Sequence, residues 1–143
     1  MDFADYPRKL LAIAELLHGW AGALVALDSA KREKVACFAD EIAATLARAA
    51  QSAVNLEADP ANRAAARSLA REYGRIAGYL ETIVGVLRHH LDGRKLTGVK
   101  RRLEQLGPGH PDGSLAPGKA RTRIARLFAA EGYFRALADS LRA

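Results

Sequence analysis

This chain has little to make a disulfide, a sheet or a membrane anchor with. It holds one cysteine, Cys37, so no intramolecular disulfide can form. Placed beside Phe38 on a helix, that thiol reads as a small core residue. Aromatic residues make up only 6 % of the sequence, and alanine and leucine dominate the rest, a composition that favours helices over sheets. The longest apolar run, Leu10 to Leu27, is interrupted only by Glu15 and His18. Burying Glu15 in lipid would cost roughly 2.5–3.5 kcal/mol. Asp2 and Asp5 spoil the positive start that a secretory signal needs. The expectation is therefore a cytoplasmic protein with no membrane span. Its first helix would be covered round nearly its whole circumference, either at the centre of a bundle or at a homo-oligomer interface.

Catalytic motifs are missing too. There is no phosphate-binding glycine loop, no G-x-S-x-G, no H-E-x-x-H and no paired-cysteine site. The R-x(4–6)-H signature of helical-bundle ribonucleases is not met, since Arg102 and His110 are too far apart. Glu15-x-x-His18 has the spacing used by di-iron carboxylate bundles, but no other histidine has an acid three residues before it. His89 and His90 are adjacent, so a helix sends them in different directions. His90 follows Leu87 by three residues and is expected at the edge of the core. The segment from His89 to Gly93 resembles the H-x-L-K-G box of histidine phosphotransfer domains in part, with Asp92 where the lysine would stand. The box is not matched. Neither enzyme activity, nor a cofactor, nor a metal is expected.

What is present is helical periodicity over nearly the whole length. The spacing predicts an all-α, antiparallel bundle of four main helices plus one short helix, forming a single domain over residues 1–143. The first helix starts near Tyr6-Pro7 and carries Leu10, Ile13, Leu17, Trp20, Leu24 and Leu27. Asp28-Ser29 caps a second, with Val35, Phe38, Ile42, Leu46, Ala49, Ala53 and Leu56 as its stripe. Asp59-Pro60 opens a third that reaches Leu91, striped by Leu69, Tyr73, Ile76, Leu80, Ile83 and Leu87. Gly74, Gly78 and Gly85 lie one step round from that stripe and predict a close helix–helix contact, since each costs about 1 kcal/mol relative to alanine. Asp92-Gly93 ends the helix, and Thr97 caps a short one holding Val99, Leu103 and Leu106. A Gly/Pro-rich loop follows at 107–118. The last helix carries Ile124, Leu127, Ala130, Phe134, Leu137 and Leu141.

Charge is segregated along the chain. The net +6 resolves into six basic and nine acidic residues over 1–60, against sixteen basic and seven acidic over 61–143. Arginine far outnumbers lysine, as in bacterial proteins of GC-rich genomes. Three clusters stand out. Arg63, Arg67, Arg71 and Arg75 are spaced four apart, so like charges repel along one helix. Arg94, Lys95, Lys100, Arg101 and Arg102 crowd the short helix. Lys119, Arg121, Arg123 and Arg126 open the last helix, where cations are disfavoured by about 0.3–1 kcal/mol each. Stability alone would not place them there. Two functions are expected in consequence. One is a non-enzymatic accessory protein that neutralises nucleic-acid backbones, RNA or DNA, with little base readout, Tyr79 and Tyr133 being expected to pack in the core or else to stack on unpaired bases. The other is an adaptor or regulator docking an acidic protein through the same side chains.

Overall fold

The computed structural model describes residues 6–105 and 117–143, which form six helices and no strand. They are α1 (Tyr6–Gly19), α2 (Ala21–Leu24), α3 (Ser29–Ala58), α4 (Arg63–Leu87), α5 (Gly93–Gln105) and α6 (Pro117–Arg142). The all-α bundle read from the periodicity is the observed architecture. No helix among the described residues is long and apolar enough to cross a membrane.

Local chemistry explains most boundaries. The first long helix divides at Trp20, which takes the bridge conformation, φ −92° and ψ 1°, between two poor helix formers, Gly19 and Gly22. The Asp28 carboxylate caps α3 by accepting the Lys31 amide at 2.9 Å. At the next connection Asp59 accepts the Ala61 amide, and Asn62 performs the cap of α4, accepting the Ala65 amide at 3.0 Å. Asp59-Pro60 therefore forms the turn rather than the cap. Asp92 likewise starts a helix instead of ending one: it accepts the Lys95 amide at 2.9 Å, so α5 begins at Gly93 and Thr97 lies inside it. Residues 107–116 of the expected loop lie outside the described part, and Pro117 and Gly118 already belong to α6.

The helices close a ring in which α3 lies against α4 and α6, α6 against α1, α1 against α5, and α5 against α4. Side-chain contacts set the directions. Lys31 at the start of α3 meets His90 just beyond α4, and Arg142 at the end of α6 reaches Glu33 and Asp40 near the start of α3. The start of α5 sits at the end of the first long segment, with Lys95 over the Trp20 ring at 6.0 Å, while Arg102 near its end shares a groove with Arg8 and Lys9. Consecutive long helices thus alternate in direction, and α1 and α6 become parallel neighbours. The His18–Tyr133 edge contact, 5.4 Å between centroids, seals that parallel seam.

Four expectations are corrected here. The first helix is not covered round its whole circumference: Leu10, Ile13, Ala14 and Leu17 are buried within the chain, and Arg8, Ala12, Glu15 and Gly19 face outward. Cys37 is exposed, its thiol donating to Glu33 at 3.6 Å, and His90 is exposed rather than at the edge of the core. The glycines of α4 are exposed as well. A Cβ at Gly74, Gly78 or Gly85 would meet nothing within 4 Å. Close approach is instead made by alanine: Ala36, Ala39, Ala43, Ala49 and Ala50 of α3 are fully buried. Replacing the three α4 glycines by alanine should therefore raise stability by about 0.8–1.0 kcal/mol each, read as a higher urea midpoint at unchanged m-value. A loss of stability would show that this face is covered.

At one end of the ring Tyr6 stacks on Tyr73, with ring centroids 3.8 Å apart and planes 11° from parallel. The Tyr6 hydroxyl donates to the Tyr73 carbonyl at 2.8 Å, tying α1 to α4 across the ring. Burial raises both phenol pKa values above the ordinary tyrosine range, the neighbouring ring adding to the rise at Tyr6 and Arg123 opposing it at Tyr73. Above pH 10 the unfolded chain binds fewer protons than the folded one, so stability is complete below about pH 10 and falls as pH climbs beyond it. The urea midpoint should hold steady from neutral pH to that point and then drop. Phenolate absorbance from these two residues should develop only as the protein unfolds, and the drop should be shallower in Tyr6→Phe.

Candidate polyanion-binding face

The basic residues fall on different sides of the ring rather than on one field. On α4, Arg63, Arg67, Arg71 and Arg75 are all exposed. Four-residue spacing advances each one by about 40° round a helix of 3.6 residues per turn, so the ladder winds from one flank of α4 toward the other. Its last member is occupied: Arg75 donates to the Tyr79 hydroxyl at 3.0 Å and lies over that ring, 5.9 Å from the centroid. The Arg75 pKa is raised chiefly by that bond, with smaller contributions from Glu72 and Glu41. Tyr79 is half-buried against Phe38, and Tyr133 is half-buried against His18. Each ring thus already has an aromatic neighbour within the fold.

The short helix α5 concentrates the exposed charge. Arg94, Lys100, Arg101 and Arg102 face solvent, and Lys95 is half-buried over Trp20. Val99 is buried, with Leu96 and Leu103 packed against the core, so the apolar stripe of α5 is spent inward and its charges point outward. Arg102 donates to the Gly98 carbonyl at 3.2 Å, which steadies the guanidinium along the helix. Closing α5 between α1 and α4 recruits cations that one-dimensional spacing did not reveal. Arg8 and Lys9 of α1 join Arg102 round a groove of about 400 Å³. Arg88, just past α4, joins Lys100 in a second groove of about 390 Å³, lined also by Glu81, Val84, Gly85, Leu103 and Glu104. Their nearness depends on antiparallel docking, to which local sequence is blind.

The α6 cluster comes apart. Arg121 is exposed, Arg126 is half-buried, and the side chain of Lys119 lies outside the described part. Arg123 is 8 % exposed and belongs to the interior, beside the Tyr6–Tyr73 stack. A surface ligand cannot reach it. Its position explains the sequence pattern, because Arg123 sits four residues before Leu127 on the buried face.

Ion pairing separates the structural charges from the available ones. Among the described residues the carboxylate partners are Asp28 for Lys31, Glu72 for Arg48, Glu131 for Arg135, and Glu33 with Asp40 for Arg142. Arg142 holds the Glu33 carboxyl below its usual range, chiefly through their hydrogen bond. None of those pairs involves α5, Arg63, Arg67, Arg71 or Arg121. The described residues hold no cluster of three or more histidine, cysteine or acidic side chains able to bind a metal. Comparison with known proteins brings no match: no family model, curated protein or solved structure matches the chain.

One consequence concerns Arg123 alone. Its Nη1 is buried without a hydrogen-bond partner. A buried charge without a full set of partners costs more than an apolar side chain of similar volume. Arg123→Met should leave the protein as stable or raise its stability by up to about 1–4 kcal/mol, measured by thermal and urea unfolding. Arg121→Gln should leave stability within about 0.5 kcal/mol of the parent.

Proposed function

We propose that this is a non-enzymatic protein that binds the phosphate backbone of nucleic acid through the face centred on α5, with little sequence preference. One observation carries the reading. Arg94, Lys100, Arg101 and Arg102 stand exposed on one short helix, and no carboxylate among the described residues pairs with any of them. Elsewhere in the fold exposed arginines do find acids, as Arg135 and Arg142 do. Uncompensated like charges on one helix repel, and a polyanion would relieve that repulsion while releasing its own counterions. Arg8, Lys9 and Arg88 extend the face to either side of α5. Contacts to backbone would set affinity and leave sequence unread. A cytoplasmic location belongs to the same proposal.

A second reading, an acidic protein partner, draws on the groove between α4 and α5. Val84, Gly85 and Leu103 line it beside Glu81, Glu104, Arg88 and Lys100. Mixed charge around an apolar floor suits a peptide side chain better than a phosphate.

Salt dependence separates the two. Fluorescence anisotropy of labelled single-stranded RNA should show binding that weakens steeply with salt. Lys100→Gln, Arg101→Gln and Arg102→Gln together should remove most of the affinity and flatten the slope by about 0.7 for each phosphate no longer neutralised. Arg121→Gln should change neither. Absence of binding at low salt, or a triple variant that binds like the parent, would overturn the nucleic-acid reading.

A further inference from the structure

The outward face of α6 has an uncovered, self-complementary pattern. Arg121, Ala125, Phe128, Gly132, Arg135 and Asp139 are spaced alternately four and three apart, and all six are exposed. This is the spacing of a second helix-packing stripe, set on the side of α6 turned away from the core. Phe128 is 52 % exposed, the most exposed large apolar side chain among the described residues, whereas every other phenylalanine among them is buried or half-buried. Four residues on, a Cβ at Gly132 would meet nothing within 4 Å, so the surface is flat and open there. The antiparallel docking of α6 on α3 adds an apolar neighbour. Phe128 lies as far before Arg142 as Val54 lies beyond Asp40, which brings Val54, itself 39 % exposed, to the level of Phe128.

We infer that a second copy of this chain covers the face, in an antiparallel, two-fold symmetric α6–α6 contact centred at the level of Ala130. A two-fold axis there sets each stripe residue opposite another of the same stripe. Phe128 falls opposite Gly132 of the other copy, so the ring enters the flat left by the missing side chain, and the two-fold-related contact repeats it. Arg121 falls opposite Asp139. These two are the stripe's outermost charges, and neither has an ion pair among the described residues. Arg135, held by Glu131 at 3.4 Å on its own helix, lays its aliphatic stem over Ala125. A heterologous partner would need none of this internal symmetry, whereas an isologous contact requires that each residue and its opposite both lie on the same patch. One helix crossing with its flanks buries area near the low end of specific interfaces, roughly 1,200 Å². α5 lies elsewhere on the ring, so the contact is independent of what α5 binds.

Sedimentation equilibrium over a concentration series tests the interface. The parent should be a reversible monomer–dimer. Phe128→Glu and Gly132→Leu should each weaken association at least 100-fold with unchanged helical circular dichroism, because both positions face open space in the monomer. Arg121→Asp and Asp139→Arg should each weaken it at least tenfold, since each opposes like charges, and the double variant should regain parental affinity. A parent that stays monomeric at its highest soluble concentration would overturn the inference. So would a dimer indifferent to Phe128→Glu and Gly132→Leu, or single charge reversals that the double variant does not rescue.

Discussion

The alanine-lined flanks of α3 are the constraint to which the other helices answer. Ala36, Ala39, Ala43, Ala49 and Ala50 are fully buried, so α3 presents a narrow surface where its neighbours can settle. It packs most extensively against α6 and then α4. Interaxial distance depends on the side chains at the contact, and short ones let two helices approach on either side of one. Once α3 is held between α4 and α6, the remaining gap of the ring must be closed by α1 and the shorter α5. That forces α5 to spend its few apolar residues inward and leaves its arginines and lysines nowhere to point but outward. A packing requirement in one helix thus ends as a charge display on another.

Polar interactions within the frame fasten seams. Arg142 joins α6 to Glu33 and Asp40 of α3, and Arg48 joins α3 to Glu72 of α4. The Arg142 cluster lies in solvent, where ion pairs contribute little to stability and mainly select register. Tyr6 differs, since its hydroxyl is buried and its bond to the Tyr73 carbonyl satisfies a donor that would otherwise be costly. It links the start of α1 to the middle of α4, two helices that share no extended seam.

The segregation of charge acquires a physical form through this arrangement. Four of the nine acids of the first half lie on α3, where Glu33 and Asp40 are consumed by Arg142 and Glu41 stands near Arg75. The bases of the second half are divided by burial and pairing into structural ones, such as Arg123 and Arg142, and uncompensated ones centred on α5. A count of charges weighs these alike. The structure does not.

Periodicity alone determined the helical class and most of the stripes, because burial on one face is a local, repeating demand that each segment states for itself, while the division of the first helix into α1 and α2, which makes six helices of the expected five, was not legible in it. Leu10 to Leu17, Val35 to Leu56, Leu69 to Leu87 and Leu127 to Leu141 are buried as that pattern requires. Cap positions were less legible, since Asp59 and Asn62, or Asp92 and Thr97, compete as neighbours for one role. What only the tertiary structure decided is which exposed face has a neighbour. Gly74, Gly78 and Gly85 look like a packing ridge in one dimension and face open space in three. Arg123 looks like one more surface cation and is buried, and Arg8 and Lys9 lie far from Arg102 in the chain yet share its groove. Those outcomes depend on how the helices close into a ring, and ring closure is a property of pairs of segments that no single segment encodes.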